Sequence, residues 1–349
     1  MRAWVVGFGT VGRWLLRALD SQARRLADRY GADLSVVGLA NARDGFVYAE
    51  TGLDVPLALR LASEGLSIAE QPGARRWPTA IEGLRETEAD VLVEVTASPP
   101  GDGQPGVSHM REALGRGLPV VTSNKWPVAL HGLELAELAR AQGIPFRAES
   151  TVMSGTPLLR ALVDGLAGTV PLALRGVLNA TANFILSRMM EGQSYESALA
   201  EAQRAGLAER DPAADVEGGD TVAKLMILAG LVFGRQLRVD DVACRGITDL
   251  AEAEIEPARS SEGRLRHVAT LEFAEPGGVG PVNARVEPLL LGRDDPLANI
   301  EGTDNAVVFH ARPVGDVTII GPGAGPELAG QGVLSDLLSI ARPVGPGGG

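Results

Sequence analysis

Lysine is almost absent from this 349-residue chain: Lys125 and Lys224 stand against 30 arginines. Cysteine is rarer still. The single Cys244 excludes an intrachain disulfide and a cysteine-rich zinc site, and a reducing, cytoplasmic setting is expected. The four histidines, His109, His131, His267 and His310, lack metal-ligand spacing and are read as surface or satisfied core residues. A formal charge of −12 without a basic stripe argues against nucleic acid as a partner. The longest late apolar run, LMILAGLVFG from Leu225, falls short of the ~18 residues a membrane span needs, and the N-terminus lacks the apolar region of a secretory signal.

What is present reads as a globular chain of about two domains, with 45% hydrophobic and 22% charged residues. A strand over Ala3–Val6 runs into Gly7-Phe8-Gly9-Thr10-Val11-Gly12. Helical spacing then continues from Thr10 to a stop at Gly31, and a buried strand follows over Leu34–Ala40. A GxGxxG turn is weak evidence alone, but between a strand and a helix it is built to cradle a pyrophosphate: Gly7 and Gly9 permit the tight turn and close approach, and Gly12 permits close helix packing. The second strand ends in Asn41-Ala42-Arg43, without the carboxylate that usually holds the ribose hydroxyls of NAD. That pattern favours NADP(H), with NAD(H) open: Arg43 can pair with a 2′-phosphate, or simply open a solvated loop.

Further strands at Asp90–Thr96 and Leu118–Thr122, with helices over 107–116 and 127–142 and a strand over Ile144–Ala148, predict a doubly wound parallel sheet. Thr96 and Lys125 fall at carboxyl ends of its strands, where such sheets bind ligands. A small-residue turn, Glu149 to Pro157, marks the domain boundary. Beyond it, Leu172–Leu178, Val279–Leu291 and Asn305–Ile320 predict an antiparallel or mixed sheet, with helices over 184–190, 195–205 and 220–233, hence a second α+β domain.

The densest chemistry lies in AERDPAADVEGGDTVAKL, which carries Glu209, Asp211, Asp215, Glu217 and Asp220 before Lys224. Acids near a helix N-terminus complement its dipole, which explains some of them. Asp220 and Lys224, four apart, stack on one face of a helix whose remainder is apolar and therefore buried. A buried lysine beside a carboxylate is either a structural ion pair or a functional site. Scarcity tips the choice, because lysine can release a proton and arginine cannot.

At this point the chain resembles the homoserine dehydrogenase family, over nearly its whole length: GFGTVG at Gly7, TSNK at Thr122, TVMSGTP at Thr151, LNATANFIL at Leu178, the acidic segment ending at Lys224, and GPGAG at Gly321. The resemblance implies reversible NAD(P)H-dependent reduction of L-aspartate 4-semialdehyde to L-homoserine, on the route to threonine, methionine and isoleucine. It implies catalytic roles for Lys125, Lys224 and Asp220, leaving open which lysine gives the final proton. Glu209, Asp215 and Thr181 would bind substrate. Cofactor contacts would come from Gly7, Gly9, Thr10, Val11, Gly12, Asn41, Arg43, Thr96, Ser123, Lys125 and Gly323. A monovalent cation, Na+ or K+, would be held mainly by backbone carbonyls around Glu149, Val152, Ser154 and Thr156.

The resemblance also implies a homodimer, a Rossmann domain of residues 1–148 plus about 315–349, and a catalytic and dimerisation domain of residues 149–314. Ala180 stands where the family usually has glycine, and Met153-Ser154 where small residues are commoner. Only Arg342–Gly349 follows the last helix, so feedback through a regulatory ACT domain is not expected, and that tail is expected to be disordered. A phosphorylating semialdehyde dehydrogenase would need a thiolate, for which Cys244 has no supporting motif. A non-catalytic nucleotide sensor would not need the two lysines.

Overall fold

The computed structural model describes residues 1–260 and 263–341, so the tail Arg342–Gly349 lies outside the described residues. The chain divides into two compact units, Met1–Gly155 with the chain from Gly325 onward, and Thr156–Ala324.

The first unit is built on a seven-stranded sheet: β1 (Arg2–Val6), β2 (Ser35–Asn41), β3 (Gly45–Tyr48), β4 (Arg75–Trp77), β5 (Val91–Glu94), β6 (Val120–Thr122) and β7 (Phe146–Arg147), in the order β4-β3-β2-β1-β5-β6-β7. β1 pairs in parallel with β2 and β5, and β6 pairs in parallel with β5 and β7, which gives the doubly wound core the sequence predicts. The β3 and β4 edge is antiparallel and was not foreseen. Its cause is local: the Asn41 side-chain oxygen accepts from the backbone N–H of Arg43 and of Asp44, and Gly45 at φ +73° completes the reversal.

The central strands β1, β2, β5 and β6 are mainly apolar and buried because both faces are covered. Leu15, Leu16 and Leu39 pack with Val333, Leu334 and Leu337 on one face; Trp4, Phe46, Met110 and Leu135 fill the other. The first helical stretch breaks at Gln22 into Thr10–Ser21 and Ala23–Tyr30, and Gly31 ends it in the left-handed region. The helix Pro326–Ala341 closes this unit, with Gly330 lying so close to the Trp14 ring that a Cβ would stand 2.2 Å from it.

The second unit carries a six-stranded mixed sheet: β8 (Val170–Val177), β9 (Ala243–Cys244), β10 (Arg264–Glu275), β11 (Val279–Leu291), β12 (Asp304–Arg312) and β13 (Gly315–Pro322), in the order β13-β12-β8-β10-β11-β9. The stretch read as Asn305–Ile320 is thus a hairpin that turns before Gly315, at φ +79°. This moves the expected boundary. β13 is an edge strand of the second sheet, so the return to the first unit comes at Gly325 and not near Gly315, and Glu149–Gly155 stays with the first unit. The helix Gly219–Phe233 is apolar apart from Asp220, Thr221 and Lys224 and is buried accordingly, with Leu225 to Leu228 fully enclosed. Among the described residues no helix is long and apolar enough to cross a membrane.

Candidate active site

In the first unit the glycine turn divides its labour. Gly7, at φ +118°, lies against the backbone of Val95 and Thr96, where a Cβ would come within 2.7 Å. At Gly12 a Cβ would stand 2.1 Å from the Gly7 carbonyl oxygen, so this glycine seats the helix on the turn. Gly9 is different: nothing lies within 4 Å of its Cβ position, and it borders a cleft of about 1490 Å³. The helix Thr10–Ser21 starts there, with Arg13 N–H donating to the Gly9 carbonyl at 2.9 Å, so the earlier N–H groups of its first turn remain for an anion.

Thr10, Val11, Asn41, Thr96, Ser123 and Lys125 also line this cleft; Gly12, Arg43 and Gly323 do not. Arg43 is exposed and donates to the Gly65 carbonyl, while Gly323 is buried in the second unit against Asn305. Among the described residues the cleft wall carries one acid, Glu112, paired with Arg85 at 2.9 Å; Arg111 on the same wall pairs with Glu134 at 2.7 Å, and Lys125 lines it as well. Asp44 is turned away and buried, accepting from Asn41 at 2.9 Å. Burial raises its pKa, but hydrogen bonds from Asn41, Ser67 and Ile68 and the charge of Arg43 outweigh that and leave it lowered.

Lys125 opens the helix Lys125–Gln142. The preceding Asn124 does not cap that helix; its amide donates instead to Glu94 at 2.9 Å, Thr96 at 3.0 Å and Ser98 at 2.9 Å. Glu94 is fully buried and also accepts from the Thr96 hydroxyl at 2.5 Å, and His109 Nδ1 approaches it at 3.8 Å. This polar knot beneath the cleft was missed from sequence. Its signal was a carboxylate, Glu94, inside an otherwise apolar strand that is buried on both faces.

In the second unit the pair read from spacing is formed. Lys224 is 6% exposed, with Nζ 2.8 Å from Asp220 and donating to the Leu178 carbonyl at 2.6 Å. Asn179, also missed, brackets the acids: its amide donates to Asp215 at 2.7 Å and Asp220 at 3.1 Å, while its oxygen caps the helix Ala180–Met190 by accepting from Ala182 N–H. Asn305 donates to the same Leu178 carbonyl at 2.8 Å. Thr181 is buried and gives its hydroxyl to the Leu207 carbonyl. Glu209 is exposed on the loop before the short helix Ala213–Val216, and no described hydrogen bond ties its carboxylate to the Asn179 group.

Glu149, Val152 and Ser154 share one buried turn of the first unit, in which Ser154 takes a left-handed φ of 51° and Glu149 N–H donates to Asp336. Thr156 opens the second unit and donates to the Pro322 carbonyl. Among the described residues no group of three or more His, Cys, Asp or Glu could hold a metal. Burial pushes the Cys244 thiol up, the reverse of an activated nucleophile.

Comparison with known proteins adds the following. A family model described as homoserine dehydrogenase matches residues 157–338, and one described as its NAD binding domain matches 7–149. The chain is 39% identical to an NAD(+)-dependent homoserine dehydrogenase of Pseudomonas canavaninivorans over 336 residues, covering 96% of this chain and 95% of that one. It is 34% identical to a homoserine dehydrogenase of Methanocaldococcus jannaschii, covering 96% and 97%. Among solved structures, a putative homoserine dehydrogenase from Archaeoglobus fulgidus is similar at a TM-score of 0.85 and 33% identity over 98% of this chain and 100% of that one. A hyperthermophilic archaeal homoserine dehydrogenase in complex with NADPH is similar at 0.80 and 28%, covering 97% of each.

Proposed function

Because the chain belongs to the homoserine dehydrogenase family, NAD(P)-dependent oxidoreductases that interconvert L-aspartate 4-semialdehyde and L-homoserine, we propose that Lys224, Asp220 and Lys125 carry its chemistry. The observation that carries this reading is the buried Lys224–Asp220 pair, anchored on the Leu178 carbonyl and bracketed by Asn179. The dinucleotide, when bound, supplies or accepts the hydride. The protein must polarise the aldehyde oxygen and provide one proton. The Lys224 ammonium, fixed by Asp220, stabilises the developing alkoxide, and Lys125, at the head of its helix beside the cleft, is the second proton carrier. Asp215 and Thr181 shape the substrate end, and Glu209 reaches the substrate ammonium from its exposed loop.

The test is homoserine-dependent reduction of NADP and NAD at alkaline pH, followed by absorbance. Lys224→Arg and Lys125→Arg should each lower kcat by ~100-fold or more, the scale of lost general acid catalysis. A parent that binds nucleotide but turns over neither cofactor would leave a sensor instead.

For the nucleotide, NADP(H) is favoured and NAD(H) usable. Support comes from the end of β2, which brings Asn41 and no carboxylate to the cleft, Asp44 being buried and held by Asn41 instead. Arg43 would meet a 2′-phosphate by leaving the Gly65 carbonyl, so Arg43→Ala should raise KM for NADP by ~10-fold and leave that for NAD unchanged, as loss of one charge-assisted contact requires. Equal effects on both cofactors would remove this role. A monovalent cation would be held around Glu149, Val152, Ser154 and Thr156, mainly by backbone carbonyl oxygens, with the Glu149 carboxyl buried, and activity in Na+ or K+ against a bulky organic cation tests it. We take the working unit to be a homodimer through the second sheet, where Leu290 and Ile320 are exposed; sedimentation decides it. A cytoplasmic location is part of the same proposal, and a lone thiol suits a reducing compartment.

A further inference from the structure

We propose that a second cleft, in the second unit and lined by arginine, binds a compact multivalent anion of which phosphate is the simplest form. The cleft measures about 490 Å³, and among the described residues Arg188, Arg259, Arg264, Arg266 and Arg293 line it against two acids, Glu191 and Glu301. In a chain of net charge −12, such a local excess of positive charge calls for a cause.

Part of the cluster has one. Arg259 donates from Nε and Nη2 to the Met189 carbonyl, ending the helix Ala180–Met190, and pairs with Glu252; Arg188 pairs with Glu191 and Glu201. These arginines are held in place by their own partners. Arg266 has no such account. It is only 2% exposed, makes no ion pair among the described residues, and spends Nη1 on the Leu265 carbonyl at 3.1 Å and the Ser187 hydroxyl at 3.4 Å. Its Nε is buried with no partner. Burial, with the neighbouring charge of Arg264, pushes its pKa down to about 10, the attraction of Glu301 offsetting only part.

A buried guanidinium normally has its N–H groups satisfied, and the fork that Arg266 leaves unfilled matches phosphate or carboxylate oxygens. Arg264, bonded only to the Gly263 carbonyl among described groups, faces the same cleft and supplies the second charge. The cleft lies at the C-terminal end of the helix whose N-cap is Asn179. The cleft and the Asp215–Asp220 group thus lie at opposite ends of one helix about 16 Å long, at ~1.5 Å per residue.

The experiment is calorimetry of the full chain with inorganic phosphate, pyrophosphate and succinate, at constant ionic strength in chloride, with and without saturating NADPH. Saturable one-site binding that persists with NADPH present is expected, weakened at least tenfold in Arg264→Gln and in Arg266→Gln. The half-buried Arg264 keeps the test valid if Arg266→Gln does not fold. The ranking of the three anions separates phosphate from carboxylate ligands. No saturable binding of any of them, binding abolished by NADPH, or binding unchanged in Arg264→Gln would each overturn the proposal.

Discussion

Replacing Lys224 by Met and Asp220 by Asn, singly and together, measures how much the buried pair depends on both partners. Removing one partner of a buried ion pair typically costs ~3–5 kcal/mol. In Lys224→Met, Asp220 keeps the Asn179 amide, a charge-assisted bond of ~1.5–3 kcal/mol, and the Leu178 carbonyl keeps Asn305, so the lower end, ~3 kcal/mol, is expected. In Asp220→Asn, Lys224 retains the Leu178 carbonyl and a neutral amide oxygen, and ~2–3 kcal/mol follows. The double variant leaves no uncompensated charge and should cost less than the sum by ~2 kcal/mol or more. All four tryptophans, Trp4, Trp14, Trp77 and Trp126, belong to the first unit, so fluorescence would follow the wrong part of the chain. Hydrogen exchange of the amides in Gly219–Phe233 reports the right free energy. Single effects below ~1 kcal/mol, or additivity within ~0.5 kcal/mol, would refute the pair as described.

Two glycines of the nucleotide turn should separate binding from folding. Gly9→Val should cost the free protein no more than the ~1 kcal/mol of a poorer helix cap while weakening nucleotide binding by ~10-fold or more, because its side-chain space is open only until a pyrophosphate enters; Gly12→Ala should lower the melting temperature further, its Cβ falling on the Gly7 carbonyl. His267 is buried, which pushes its pKa down, with the bond to the Arg245 carbonyl offsetting only part. The unfolded chain therefore takes up a proton near pH ~6.5 that the folded chain refuses, and stability falls as pH drops below that value. His267→Gln should flatten this slope between pH ~7 and ~5 in exchange protection of β10, and parallel slopes would count against it.

The parallel core and the Asp220–Lys224 pair were legible because both are written at short range: a strand, glycines and a helix in succession, or two residues one helical turn apart. Asn179 was not, since its contacts to Asp215 and Asp220 span 36 and 41 residues; only its place before a helix hinted at anything. The knot of Glu94, Asn124 and His109 likewise joins two strand ends and a helix. The antiparallel edge of the first sheet followed from an asparagine turn three residues long, too local a feature for a periodicity to betray. The arginine-lined cleft had no sequence signal, because arginine is the ordinary base of this chain.

The route by which the first unit is closed has a consequence for synthesis. Val333, Leu334 and Leu337 fill a core begun by Leu15 and Leu16, with the whole second unit translated in between. At ~5–20 residues per second, the emerging nucleotide-binding unit waits roughly 10–40 seconds with that groove uncovered. The contiguous second unit can meanwhile finish folding, so the half that begins first is completed last, and a chaperone has most to protect along the helix Thr10–Ser21.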